Sequence, residues 1–171
     1  MERRMAYRVR EATAADDVEI GELLVLAFDE QYARKMPEVV ISEGRRASLR
    51  AVAAKRAVAK VWVCVAGEGR VVGTVALWPP GAQGSEAWVA GACDLRHLAV
   101  ASGHRGGAVS TLLLDTAEAW ARAHGTGVCL HVRRGAKGVR ALYAARGYAD
   151  APEGDLDQRP DVYLEAMRKT F

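Results

Sequence analysis

Residues 98–115 read LAVASGHRGGAVSTLLLD. A short apolar run, Leu98–Val100, becomes a leucine-rich helical run within a few residues, through a turn containing three glycines, one histidine and one arginine. No other stretch of the chain constrains the fold as much. A strand that passes directly into an amphipathic helix must have that helix lie back on its sheet, which points to an α/β or α+β domain. The turn has a chemical consequence as well. A helix N-terminus leaves its first N–H groups without intrahelical partners and carries about half a positive charge. Glycines let the backbone turn sharply and approach a ligand closely. Arg105 adds a full charge. Together these make an anion site, most naturally for phosphate. Taken alone, Arg-Gly-Gly is equally well explained as a strand–helix turn with a solvated arginine. The familiar phosphate loops do not fit: there is no G-x-x-x-x-G-K-[ST], and the glycine spacing fails the dinucleotide fingerprint.

Around this segment the pattern alternates in type. Tyr7–Thr13 reads as a strand. Thr13 then precedes Asp16 by three residues, a capping-box spacing. Ile20, Leu23, Leu24, Ala27 and Phe28 repeat at helical intervals. Met36 and Pro37 interrupt the chain. A second helical segment is expected over about 42–59, with Leu49, Val52 and Ala53 as its apolar stripe. Val61–Val65 and Val71–Leu77 flank a Gly-Glu-Gly turn and form a hairpin. Ala87–Val100 reads as one long extended segment. The helix after Gly107 should end near Gly125. GVCLHV is a strand, AKGVRALYAARG a short helix closed by Gly147, and YADA and VYLEAM a final strand pair. The expectation is a single domain over residues 1–171, with a mixed sheet of about six to seven strands flanked by about four helices.

Charge and cysteine content narrow the function. The net charge of +3 is too small to argue for a nucleic-acid partner. No apolar run is long enough for a membrane span, and the first residues lack the apolar core of a signal peptide, so a cytoplasmic location is expected. Cys64, Cys93 and Cys129 lie in apolar strand-like runs with no metal-ligand spacing. They read as buried thiols, and no metal is expected.

Three motifs carry a family resemblance. Leu98, Ala99 and Val100 end a strand, Arg105 and Gly106 open the turn, and Leu112, Leu113 and Leu114 follow in the helix. LYAARGY, Leu142–Tyr148, lies downstream, and the opening and closing strands fall in the same order. In these features the chain resembles the GNAT superfamily of N-acetyltransferases along nearly its whole length. The resemblance implies acetyl transfer from acetyl-CoA, as co-substrate, to an amine of a small molecule or peptide. It implies a pyrophosphate on the segment His104, Arg105, Gly106, Gly107, Ala108, Val109 and Ser110. It further implies a pantetheine arm along Leu98, Ala99 and Val100, and a contact from Arg146 to a CoA phosphate. A homodimer is compatible with it.

Ala108 and Ser110 stand where the family usually has glycine. Backbone N–H donors survive both changes, and Ser110 offers a hydroxyl donor. Ala136 replaces a frequent asparagine, so that amide contact is absent. These departures keep open an alternative, a non-catalytic acyl-CoA sensor or protein-interaction module.

Direct attack by an amine needs a base, an oxyanion donor and an acid for the departing thiolate. The resemblance makes Tyr143 the acid. Asp94 and His97 are the candidate bases, with His131 a weaker third, and a base acting through water stays open. Asp94 and His97 are three apart, so a regular strand would turn them to opposite faces, whereas a bulge would change that. The acceptor amine is left open. Asp29 and Glu30 suit a cationic amine, and Arg34, Lys35, Arg45 and Arg46 a carboxylate.

Overall fold

The computed structural model describes residues 6–171. In chain order these form β1 (Arg8–Glu11), α1 (Asp17–Lys35), α2 (Glu43–Arg50), α3 (Val52–Val58), β2 (Lys60–Val65), β3 (Val71–Trp78) and β4 (Cys93–Val100). There follow α4 (Ala108–His124), β5 (Gly127–Arg133), α5 (Lys137–Ala145), β6 (Ala149–Asp150), β7 (Leu156–Gln158) and β8 (Val162–Thr170). The architecture is mixed α/β, with mostly antiparallel strand pairing. Among the described residues it has one strand and one helix more than expected. The chain divides into two compact units. One runs up to Leu77 and includes His97–Ala117; the other holds Trp78–Arg96 and Glu118–Phe171.

In the first unit, β1 pairs antiparallel with β2, and β2 with β3. Every position of β3 is buried, as expected of a β-branched run covered on both faces. Gly73 in β3 is a matter of space. A Cβ there would lie 2.5 Å from Val109 Cγ1 and 2.9 Å from Leu113 Cδ1, so α4 rests directly on the strand backbone. The N–H of Ala101 donates to the Val72 carbonyl at 2.8 Å and ties the end of β4 to β3. The start of α1 follows its sequence signal, with the Asp16 carboxylate accepting the Thr13 N–H at 2.8 Å. Ile20 and Leu24 are fully buried.

The single helix expected over 42–59 is two. Ala51, at φ −77° and ψ 55°, leaves the helical region, and this break resets the phase of the apolar stripe. Leu49 and Val52 are buried as expected, but Ala53 is exposed, and Lys55 takes the inward position at 9% exposure.

In the second unit, Cys93–Leu95 of β4 pair parallel with β5, β5 pairs antiparallel with β8, and both β6 and β7 lie on β8. The extended segment expected over 87–100 is a strand only from Cys93. The residues just before it form turns, with Gly91 at φ +76°. Gly125 does close α4, its N–H donating to Ala121 at 2.8 Å. Its role is close approach, since a Cβ would sit 2.8 Å from the Gly91 carbonyl oxygen. All three cysteines are free and buried. Burial raises each thiol, that of Cys93 to about 11, so at neutral pH they act as small apolar groups.

Candidate active site

The first unit holds the second half of β4, the glycine turn and the start of α4. His97 interrupts β4 with φ +59°, a left-handed conformation rare for a residue with a Cβ. Such strain persists only where surrounding structure enforces it, and it concentrates at functional sites. Gly106 and Gly107 follow at φ +112° and +129°. A Cβ at either would meet nothing within 4 Å. Their role is therefore conformational, and the space beside them is open. The N–H of Thr111 donates to Gly107 at 2.9 Å as α4 begins. The N–H groups just before it belong to the first turn, which helix geometry leaves without intrahelical acceptors. Ala108 is exposed, so its methyl group intrudes on no packed neighbour. The Ser110 hydroxyl donates back to the Gly107 carbonyl at 3.2 Å.

His104 and Arg105 of the turn are both engaged by protein groups, His104 half-buried and Arg105 at the surface. Arg105 donates from Nε to the Val100 carbonyl at 3.1 Å and pairs with Glu30 of α1 at 3.0 Å. His104 is held by both ring nitrogens. The Arg70 guanidinium, always a donor, lies 3.3 Å from Nε2. The ring proton is then on Nδ1, which donates to the Tyr7 oxygen at 2.9 Å.

Lys55 reaches β4 from α3. Its Nζ lies 3.0 Å from His97 Nδ1. Burial, and secondarily repulsion from Arg45, lower the Lys55 ammonium to about 8 despite an opposing pull from Asp17.

The second unit holds the remaining candidates. Asp94 is fully buried. Its Oδ2 accepts from the Glu86 N–H at 2.8 Å and Arg96 Nε at 2.8 Å, with Arg96 Nη2 also in contact. Among the described residues its Oδ1 has no hydrogen-bond partner. The Arg96 guanidinium lies over the Trp78 ring at 4.2 Å. His131 donates from Nε2 to the Gly154 carbonyl at 2.8 Å and meets the Trp88 edge at 5.2 Å. Those contacts are structural.

Tyr143 is 5% exposed on α5, and its ring packs edge-on against Tyr148 at 5.4 Å. Burial raises its phenol well above the ordinary value, so the hydroxyl stays protonated. No described residue hydrogen-bonds that hydroxyl. Arg146 binds Glu118 of α4 with Nε at 3.0 Å and Nη2 at 3.1 Å, which commits it to the fold.

Residues 18–148 match the family model described as the acetyltransferase (GNAT) family. The chain belongs to that family. The GNAT fold is also seen in solved structures of low identity. A GNAT acetyltransferase from Staphylococcus aureus Mu50 superposes with a TM-score of 0.72 at 16% identity, covering 96% of this chain and 99% of that one. PaiA N-acetyltransferase from Thermoplasma acidophilum, solved in complex with coenzyme A, gives 0.71 at 15%, covering 98% and 100%. The Escherichia coli GNAT protein YhbS, also solved with CoA, gives 0.67 at 18%, covering 98% and 84%. No curated protein matches the sequence significantly. No helix among the described residues is long and apolar enough to cross a membrane.

Within this GNAT chain the structure joins His97 to Lys55 and Arg105 to Glu30, while Asp94 is engaged by Arg96. Lys55 and Glu118 were not singled out from sequence. Lys55 looks like one of many exposed cations until the break at Ala51 turns it inward. Glu118 has no local signal, because its partners Arg146, Tyr148 and Lys169 lie 28–51 residues away.

Proposed function

We propose that this chain is a single cytoplasmic acyltransferase domain that moves an acetyl group from acetyl-CoA to a primary amine of a small molecule or peptide. The observation that carries this reading is the Gly106–Gly107 turn. Two left-handed glycines face open space at the start of α4, as an anion held by backbone N–H groups requires. Both the Thermoplasma acidophilum and Escherichia coli relatives of this fold bind CoA in their crystals. The N–H groups from Gly106 to Ser110 hold the pyrophosphate, and Leu98–Val100 offer backbone groups to the pantetheine arm. Arg105 takes part only after leaving Glu30.

His97 serves as the base. It is preferred to Asp94, whose Oδ2 is committed to the Arg96 guanidinium and the Glu86 N–H. His97 removes a proton from the acceptor ammonium, and the neutral amine attacks the thioester carbonyl. The C–S bond breaks, Tyr143 donates its proton to the departing thiolate, and the proton shed by the attacking nitrogen as the amide forms restores the Tyr143 hydroxyl by way of solvent.

Thiol release from acetyl-CoA, followed against a panel of amines, amino acids and N-terminal peptides, tests the reading. Amine-dependent release with an equal amount of acetylated product is expected. Tight CoA binding with no release across the panel would establish the sensor alternative. With an active amine in hand, Tyr143→Phe should lower turnover about 100- to 10,000-fold and leave CoA affinity near wild type.

A further inference from the structure

The carboxylates of α1 that suit a cationic amine already have cations. Asp29 pairs with Arg46 at 3.2 Å and Glu30 with Arg105 at 3.0 Å. Two cations of the same unit have no such partner. Arg45 of α2 lies 5.9 Å from the centre of the Phe28 ring and forms no ion pair among the described residues. Lys55 of α3 is 9% exposed, and among the described residues its close polar neighbour is Nδ1 of His97, at 3.0 Å. No carboxylate among the described residues forms an ion pair with Lys55. An ammonium carries three N–H donors, and one ring nitrogen meets at most one of them. Arg45 repels Lys55, and Asp17 of α1 attracts it, but Asp17 is itself held by Arg56 at 2.6 and 2.8 Å. Buried charges are normally paired, and an enclosed cation without a counter-ion is costly.

We propose that Lys55 is the counter-ion for a carboxylate on the acceptor, so that the substrate is a small zwitterionic amine such as a free amino acid. This rests on the acetyl-transfer reading above. In that reading the phosphates lie beyond Val100, on residues 106–110, and the pantetheine arm runs back along the strand from Val100 to Leu98. Its acyl end then falls on the side of His97, which immediately precedes Leu98 and is the residue that Lys55 touches. A carboxylate that takes the remaining ammonium donors holds the amine of the same molecule near the thioester. The pairing also compensates a charge that the fold leaves bare, and the field of Arg45 favours the same anion. The carboxylate stays ionised throughout, and no bond to it forms or breaks. An amine without a nearby carboxylate, including the N-terminus of a peptide, leaves Lys55 uncompensated and binds less well. Hydrogen bonds to charged groups of this kind are worth about 10- to 150-fold in affinity.

The test is kcat/KM, at saturating acetyl-CoA, for free amino acids and for the matching amino acid amides. Comparing the acid-to-amide ratio between proteins cancels the different basicity of the two amines. That ratio should be about 10- to 150-fold larger in wild type than in Lys55→Met, with the change carried by KM for the acid, as expected of a binding contact. Lys55→Gln, an uncharged polar replacement, should lower the ratio in the same way and guards against misfolding of the Met variant. Carbon-13 NMR of the Lys55 side chain gives a readout that needs no turnover. With CoA present, N-acetylglycine should move the Lys55 titration upward from near 8, because an opposite charge favours the ammonium, and N-acetylglycinamide should not. Equal acid-to-amide ratios in wild type and variants, or a Lys55 titration indifferent to N-acetylglycine, overturn the proposal while leaving acetyl transfer intact. A wild-type protein that acetylates neither series overturns the underlying reading, and the proposal with it.

Discussion

Lys55 and Glu118 are both ionisable side chains enclosed by protein, one in each compact unit, and they are treated in opposite ways. Glu118 collects donors. Arg146 binds it through two nitrogens, the Tyr148 hydroxyl donates at 3.2 Å, and Lys169 approaches to 3.4 Å. Among the described residues Lys55 has one close polar partner, the imidazole of His97. A buried charge surrounded by compensating partners joins elements: Glu118 ties α4 to the turn after α5 and to β8. A buried charge without them is held near its neutral form, which is how proteins prepare a group for proton transfer. The same contrast separates two neighbouring phenols. Tyr148 donates to Glu118, whereas the Tyr143 hydroxyl has no described partner.

The most severe way to break the comparison is Glu118→Gln. It removes the charge that compensates Arg146 and Lys169 inside the protein, and disrupting a buried pair of this kind costs about 3–5 kcal/mol. Urea denaturation at neutral pH should show a loss in that range. If the loss is below about 1 kcal/mol, comparable to a surface pair, Glu118 is no strut.

The opposite outcome is expected at Lys55. Its folded proton affinity, near 8, lies below the unfolded value of 10.5. Below pH 8 both states are protonated, and the fold bears the cost of an enclosed charge. Between 8 and 10.5 the unfolded chain holds more protons, so wild-type stability rises with pH. Lys55→Met should accordingly be more stable than wild type at pH 7, by about 3 kcal/mol. That advantage should shrink through the window from 8 to 10.5. Paired melts at pH 7 and pH 10.5 check the sign, and a Met variant less stable than wild type at pH 7 would contradict it.

The tyrosines sharpen the contrast at smaller scale. Tyr148→Phe deletes a hydrogen bond to a charged group and should cost about 1.5–3 kcal/mol. Tyr143→Phe deletes a hydroxyl with no described partner and should change stability by less than about 0.5 kcal/mol. Equal losses in chemical denaturation would erase the distinction. The smallest effect belongs to Glu30→Ala. Its pair with Arg105 is about one-third exposed on both sides, so stability should move by less than about 1 kcal/mol. Releasing Arg105 from Glu30 should tighten CoA binding a few-fold, measurable by calorimetric titration.

These examples show which kinds of information the chain carries locally. The strand–turn–helix at 98–115 was legible because its signals are short-range. Apolar runs state the burial of each element, and adjacent glycines state the backbone. The capping pair Thr13 and Asp16 and the hairpin on either side of residues 67–69 belong to the same class. What was not legible depends on partners distant in sequence. Arg105 meets a carboxylate 75 residues away, and nothing in the turn itself says that it folds back. Lys55 was hidden by a single residue, Ala51, whose break shifts the helical phase and exchanges Ala53 for Lys55 on the inner face. β7 is three residues long and defined by its pairing with β8, so it has no periodicity of its own to read.

Gly73 bears on how quickly a ligand is captured. With no side chain on the strand, Val109 and Leu113 anchor the first turns of α4 on the backbone of β3. The N–H groups at the helix start are thus directed before any anion arrives. Ordering a flexible loop costs about 1–2 kcal/mol per residue, and a turn seated in this way avoids much of that cost on binding. Association should then follow the rhythm of diffusive encounter and the exchange of Arg105 away from Glu30, with no slow folding of the turn in the observed kinetics.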